Sequence, residues 1–147
     1  MPIVAEIEVS YRPAISNKPI IKSALDAYVV LKPFFPENLI ALKEIFVVVY
    51  LNRCNRVIGL YELSSGGITG TVADIRLILG IALKVVATSI ILAHNHPSGF
   101  LKPSKADELL TSKIKEAVKY MDIQLVDHLI ISQTEGAYYS FTDEGVL

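Results

Sequence analysis

Residues 88–107 read TSIILAHNHPSGFLKPSKAD, and the interpretation of the whole chain starts from this stretch. Its first part, residues 88–93, is a short apolar run that predicts a strand. Residues 94–103 form a loop with two prolines and a glycine, and residues 104–121 predict an amphipathic helix. The predicted buried stripe of this helix is Leu110, Ile114, Ala117, Val118 and Met121. A strand, a loop and a helix in this order are typical of an α/β domain.

The segments around this stretch predict further strands and helices. Residues 44–51 are almost wholly apolar and β-branched or aromatic, which predicts a central strand buried on both faces. Residues 57–63 predict its hairpin partner, and residues 124–132 and 137–141 predict two later strands. Residues 72–87 predict a helix with apolar residues on every face, for which a dimer partner could supply cover. Before them, alternation at Ile7, Val9 and Tyr11 predicts an edge strand, and Ser23 with Asp26 predicts a capped helix through about Leu31.

Composition excludes several classes of protein. The chain has 147 residues, of which 52% are hydrophobic and 20% charged, so it is too apolar for a disordered protein. Its net charge of -1 provides no positive field to hold a nucleic-acid backbone. Cys54 is the single cysteine and cannot form an internal disulfide, and no signal peptide or membrane-spanning run is recognised. We therefore expect a cytoplasmic protein without a membrane span.

The spacing of His94, His96 and Asp107 predicts a metal site. If the strand continues into the loop, His94 and His96 project from the same side of it and Asn95 from the other. Asp107 falls in the first turn of the following helix and can approach both imidazoles. Two nitrogens and one oxygen suit zinc, with a fourth position left for water. A simpler interpretation also fits, because Ser104-x-x-Asp107 is a capping-box pattern by itself.

Hydrolysis by zinc-activated water also needs a general base. The candidates are Glu37, Glu44 and Glu62, of which we favour Glu44 because it opens the central strand, where a carboxylate can face a cleft. Glu62 is the reserve candidate. His128 follows Asp127 and is interpreted as a hydrogen-bonded structural histidine rather than a fourth ligand. A cysteine protease is disfavoured because no histidine is adjacent to Cys54.

The pattern His94-x-His96-Pro97, followed by Pro103, Ser104 and Asp107, resembles the JAMM signature of the Jab/MPN metallohydrolases. More narrowly, residues 93–99, residues 103–107 and the later residues 127–130 resemble the RadC family, and the likeness runs from about Glu44 to the C-terminus. The resemblance implies zinc bound by His94, His96 and Asp107. It also implies that Glu44 is the base and that Ser104 polarises the scissile carbonyl.

One difference from the family concerns the N-terminal region. RadC proteins carry a helix-hairpin-helix region before this domain, and residues 1–43 lack its glycine-centred hairpin, so DNA binding through that module is not implied. We predict an extension of one strand and one helix over residues 1–43. Residues 44–147 are predicted to form a single Jab/MPN-like α/β domain, with a mixed, mainly antiparallel sheet flanked by helices.

The predicted function is a zinc-dependent hydrolase of an amide bond, of the metallopeptidase or isopeptidase type, with a protein or peptide substrate. Two alternatives belong to other classes. One is a DNA-repair-associated accessory domain with a non-catalytic zinc site, and the other is an interaction module without metal. Salt-dependent DNA binding would distinguish the first alternative from a peptidase. The sequence does not determine the oligomeric state, although a homo-oligomer would cover the apolar helix predicted over residues 72–87.

Overall fold

A mixed five-stranded sheet forms the centre of the fold, in a computed structural model that describes residues 3–8, 10, 12, 17–66 and 73–147. The strands are β1 (Glu44–Leu51), β2 (Val57–Gly66), β3 (Ser89–Asn95), β4 (Gln124–Ile131) and β5 (Tyr138–Ser140). Their order in the sheet is β2-β1-β3-β4-β5. Only β3 and β4 pair in parallel, and the other three pairings are antiparallel. The predicted α/β fold with a mainly antiparallel mixed sheet is confirmed.

Helices cover both faces of the sheet. They are α1 (Ala24–Leu31), α2 (Glu37–Ile40), α3 (Ile75–Lys84) and α4 (Lys105–Lys119), and a 3-10 turn over Lys32–Phe34 follows α1. On one face, α1 packs Leu31 against β1 residues such as Val47. On the other face, α3 and α4 pack Ile78 and Ile114 against Val48 and its neighbours. Because helices lie on both faces, β1 and β3 are buried on both faces, as their continuous apolar sequence predicts.

The connection between β3 and β4 brings the start of α4 close to the two histidines. Parallel strands cannot be joined by a tight turn and need a crossover, which here is the 15-residue helix α4. The N-terminus of α4 therefore lies near the C-terminal end of β3, where the two histidines are. Helix α4 packs on the sheet through Thr111, Ile114 and Val118, which are buried.

Three predicted elements differ from the structure. Residues 3–8 form no strand and Ile7 is 87% exposed, while Val9 and Tyr11 lie outside the described residues. The helix predicted over residues 72–87 is shorter, because it ends at Lys84 and Val86 adopts a left-handed backbone with φ of 58°. The helix is also buried on one side only, rather than covered all round, because Ile78 is buried whereas Leu83 is 55% exposed. Met121 is not in the buried stripe, because α4 ends at Lys119 and the chain turns there.

The remaining predicted elements are confirmed within a few residues. Ser23 caps α1 by accepting a hydrogen bond from the Asp26 N–H at 3.2 Å, although the Asp26 carboxylate accepts from Lys22 N–H rather than from Ser23. Strand β2 extends beyond the predicted end at residue 63 and pairs Gly66 with Glu44. The division of the chain at residue 44 stays a prediction. None of the helices in the described part of the chain is long and apolar enough to span a membrane.

Candidate metal centre

His94 and His96 lie at the C-terminal end of β3. Strand β3 continues through Asn95, as the metal-site prediction requires, and the two imidazole rings lie with centroids 4.8 Å apart. The His94 side chain is 1% exposed and stacks on Phe46 of β1, with ring centroids 5.9 Å apart. Asn95 points to other partners, at Ile45 of β1 and the end of α2. The alternation of the strand thus separates the two histidines from the asparagine between them.

The loop after β3 folds back so that α4 begins beside the histidines. Gly99 has a left-handed backbone with φ of 83°, and its N–H donates to the His96 carbonyl at 2.8 Å. Ser104 then caps α4 through its Oγ, which accepts a hydrogen bond from the Asp107 N–H at 3.0 Å. In return, Oδ2 of Asp107 accepts a hydrogen bond from the Ser104 N–H at 2.9 Å. This reciprocal capping box fixes Asp107 in the first turn of α4.

Three ligand atoms converge in the space between β3 and α4. The Nε2 atoms of His94 and His96 lie 3.0 Å apart, and Oδ2 of Asp107 lies 2.9 Å from His96 Nε2 and 3.4 Å from His94 Nε2. Among the residues that the structure describes, these three form the single group of His, Cys, Asp and Glu side chains with ligand atoms close enough for one metal ion. The cluster could therefore bind a metal.

Asp107 caps α4 and also faces the two histidines, so its position fits both the capping and the metal-site interpretation of the sequence. Its Oδ2 atom caps the helix and also faces both imidazoles, so the cap does not turn the carboxylate away from the histidines. Burial would raise the pKa of Asp107, but the adjacent imidazoles of His94 and His96 hold that pKa well below its usual value. The group is therefore a carboxylate, the form that binds metals.

The orientation of His96 is fixed by the loop. Its Nδ1 lies 2.6 Å from the Phe100 carbonyl, which can only accept, so Nδ1 carries a hydrogen. In the neutral ring, Nε2 then has a free lone pair directed at the cluster. Hydrogen bonding to Asp107 raises the pKa of His96, against the lowering effect of burial. A cation, whether a proton or a metal ion, is thus favoured between His96 and Asp107.

An open cleft of about 330 Å³ leads to the cluster. Its lining residues are Glu44, His96, Ser98, Phe100, Lys102, Ser104 and Asp107. Glu44 is half-buried at the start of β1, and its negative charge contributes to the raised pKa of His96. Both residues for which we predict catalytic roles, Glu44 and Ser104, therefore lie at the cleft that also reaches two of the three candidate ligand residues.

The other candidate bases lie elsewhere in the part of the chain that the structure describes. Glu62 is exposed and pairs with Val47, whose side chain packs on the α1 face of the sheet. Residues opposite each other in an antiparallel pair share a face, so Glu62 lies across the sheet from His94. Glu37 is exposed in the first turn of α2 and does not line the cleft. Cys54 is exposed in the turn between β1 and β2.

His128 is a buried histidine in contact with the cluster. Its side chain is hydrogen-bonded, as the sequence predicts, but the side chains that it contacts were not predicted. Its Nε2 lies 2.7 Å from His94 Nδ1, and its Nδ1 lies 2.7 Å from the Thr111 Oγ1. This contact arises because β3 and β4 pair in parallel, with His128 opposite Leu92. The local sequence does not specify that pairing, so it could not predict the contact.

Comparison with known proteins gives a family match over most of the chain. A family model described as "RadC-like JAB domain" matches residues 21–146. A protein of Flavobacterium johnsoniae named "UPF0758 protein" is 47% identical over 126 residues, which cover 86% of this chain and 53% of that protein. A "UPF0758 protein" of Porphyromonas gingivalis is 40% identical over 148 residues, covering 99% of this chain and 63% of that protein. The chain therefore spans between about half and two thirds of the length of these relatives.

Proposed function

Because this chain belongs to the RadC-like JAB domain family, we propose that it is a zinc-dependent hydrolase that cleaves an amide bond in a protein or peptide. The single observation that carries the proposal is the convergence of two imidazole nitrogens and one carboxylate oxygen at the end of an open cleft. Three protein ligands beside a cleft are typical of catalytic zinc sites, whereas structural zinc sites have four.

The spacing of the three atoms supports zinc. Zinc binds nitrogen and oxygen ligands at about 2.0–2.2 Å in a tetrahedron, which separates neighbouring ligand atoms by about 3.3–3.6 Å. The three observed separations are 2.9, 3.0 and 3.4 Å, so only small shifts would be needed to hold the ion. The donor set of His94, His96 and Asp107 is also one that zinc accepts readily.

Each residue at the cleft has a role that its position allows. Zinc held by His94, His96 and Asp107 would supply Lewis acidity, which polarises a carbonyl and lowers the pKa of water to about 7. Glu44 would accept a proton from the attacking water and pass it to the leaving amine. The Ser104 Oγ accepts from the Asp107 N–H, so its own hydrogen remains able to donate to the oxygen of the scissile carbonyl.

The experiment that tests this function is a cleavage screen with the purified protein. Peptides with ordinary and lysine-linked amide bonds would be incubated with zinc-loaded protein and analysed by mass spectrometry. We expect cleavage of a subset, which stops on removal of zinc by a chelator and in the His96→Ala variant. Cleavage that persists in that variant after chelation would contradict the proposal, as would the absence of cleavage across the whole panel.

The same preparation tests the DNA-associated alternative. Phosphate contacts make DNA binding fall steeply with salt, with a slope set by the number of phosphates neutralised. Since the chain has fourteen Lys and Arg residues against fifteen Asp and Glu residues, we expect no tight DNA binding at physiological salt. Salt-dependent DNA binding without peptide cleavage would favour the accessory-domain alternative.

A further inference from the structure

A chain of hydrogen bonds runs behind the cluster, on the side away from the cleft. It begins at His94 Nδ1, which lies 2.7 Å from His128 Nε2. It continues from His128 Nδ1 to Thr111 Oγ1, also at 2.7 Å, and ends where Thr111 Oγ1 donates to the Asp107 carbonyl at 2.7 Å. The chain thus links two of the three candidate metal ligands through the interior of the protein.

The direction of every hydrogen bond in this chain follows from its last acceptor. The Asp107 carbonyl can only accept, so the single hydroxyl hydrogen of Thr111 points to it. Thr111 Oγ1 must then accept from His128, which places a hydrogen on His128 Nδ1. In a neutral His128 ring, Nε2 has no hydrogen and can only accept, so the hydrogen in the remaining bond is on His94 Nδ1.

The surroundings of His128 favour this neutral ring. His128 is fully buried and stacks on Phe141, with ring centroids 4.6 Å apart, while Phe46 approaches its edge at 5.8 Å. The neighbouring carboxylate of Asp127 is engaged with the backbone N–H groups of His128 and Thr142 and with the Ser140 hydroxyl. An uncompensated charge between aromatic rings is costly. Burial and aromatic packing therefore favour the uncharged ring at this position.

We propose that His128 and Thr111 are positioning residues that hold His94 with its hydrogen on Nδ1 and its Nε2 lone pair directed at the metal. This assignment rests on the proposed metal centre and adds residues that do not contact the metal themselves. Because the Phe100 carbonyl holds a hydrogen on His96 Nδ1 in the same way, the three facing atoms, which lie 2.9–3.4 Å apart, present lone pairs to each other when both rings are neutral. Lone pairs this close repel each other unless a cation lies between them, so the hydrogen-bond chain prepares the cluster for a metal ion.

Thr111 offers a matched pair of variants for the test. Thr111→Val keeps the shape and the β-branch but removes the hydroxyl, whereas Thr111→Ser keeps the hydroxyl. Without the hydroxyl, His128 loses the partner that keeps its hydrogen on Nδ1 and can instead donate from Nε2 to His94. That exchange moves the His94 hydrogen onto Nε2, where zinc binds. We therefore expect Thr111→Val to weaken zinc affinity about 10–100-fold and Thr111→Ser to stay close to wild type.

Zinc affinity would be measured by competition with a chromophoric chelator, and the ring hydrogens by NMR of protein with ¹⁵N-labelled histidine. In the wild-type protein we expect the His94 hydrogen on Nδ1, with a scalar coupling to His128 Nε2 across the hydrogen bond. A hydrogen on His94 Nε2 in the zinc-free wild type would overturn the proposal. So would equal zinc affinities of the valine and serine variants, each checked for folding by its amide spectrum.

Failure of this proposal is distinguishable from failure of the metal centre. If the wild type binds zinc and the valine variant binds it equally well, the positioning role is wrong and the metal centre stands. If the wild type binds no zinc, the metal centre is wrong, and the NMR spectrum of the wild type still decides whether His128 sets the tautomer of His94. The NMR measurement needs no variant, so a folding defect in Thr111→Val would not prevent the test.

Discussion

Oδ1 of Asn95 accepts a hydrogen bond from the backbone N–H of Ile45 at 2.7 Å, which ties the residue between the two histidines to the residue after Glu44. The amide group of Asn95 also donates to the carbonyls of Ile40 at 2.7 Å and Lys43 at 3.0 Å. These bonds attach the start of β1 and the end of α2 to the end of β3. The separation between Glu44 and the histidine pair is therefore set by a buried side chain on the opposite side of β3.

We expect Asn95→Ala to destabilise the protein. The substitution leaves a buried N–H and two carbonyls without their partner, at a cost of about 1–3 kcal/mol for each buried group that finds no water. Urea denaturation would measure the change in the free energy of unfolding. The control is Asn38→Ala, at an exposed position in α2, where the expected change is within about 0.5 kcal/mol. Equal stabilities of the two variants would show that the Asn95 bonds contribute nothing.

Two substitutions separate the capping role of Asp107 from metal binding. Asp107→Asn keeps an oxygen that can accept from the Ser104 N–H but removes the negative charge, whereas Asp107→Ala removes both. We expect both variants to lose zinc, measured by elemental analysis. Only Asp107→Ala should also lose the cap, at about 0.5–2 kcal/mol by urea denaturation. Zinc retained at wild-type levels in Asp107→Ala would exclude this residue as a ligand.

Zinc should stabilise the folded protein, because the three ligand atoms meet only in the folded chain. At a free zinc concentration 100 times the dissociation constant, the gain is about 2.7 kcal/mol. For a domain of this size, that corresponds to a rise in melting temperature of about 5–10 °C. Differential scanning calorimetry with and without zinc would measure the rise, and a chelator should reverse it. A similar rise in His96→Ala would mean that zinc binds somewhere else.

Glu44→Gln separates catalysis from metal binding. Glutamine is nearly isosteric with glutamate but cannot take a proton from water, so we expect cleavage to fall by about 10²–10⁴-fold with the zinc content unchanged. Glu62→Gln, on the other face of the sheet, is the matched control and should keep full activity. Full activity in Glu44→Gln would remove Glu44 as the base, and loss of zinc would make it a ligand instead.

Most of the fold follows from patterns within single elements. The apolar β-branched run of β1 and the capped start of α4 are visible in the sequence because strand burial and capping are local properties. The end of α3 is not visible, since it depends on Val86 adopting a left-handed backbone that β-branched residues rarely take. The alternation at Ile7 predicted a strand, yet a strand also needs a neighbour with which to pair.

The site likewise contains contacts that a local sequence pattern predicts and contacts that it does not. His94, His96 and Asp107 stand within one strand, loop and helix, so their spacing indicates that they can meet, although a helix cap at Asp107 fits the same spacing. The contact between His94 and His128 depends instead on which strand pairs with β3 and in which register. Such pairing depends on how α4, which connects the two strands, packs on the face of the sheet, and no local pattern of residues encodes that packing. The buried histidine was therefore predictable, but its role behind His94 was not.

The most direct test of the metal centre is a crystal structure of the zinc-soaked protein with diffraction data collected on both sides of the zinc absorption edge. We predict one anomalous peak per chain, about 2.0–2.2 Å from the Nε2 atoms of His94 and His96 and from Oδ2 of Asp107. The peak should be absent in crystals of Asp107→Ala prepared in the same way. A folded wild-type protein with no peak between these three atoms, or with its zinc bound only by other residues, would contradict the account.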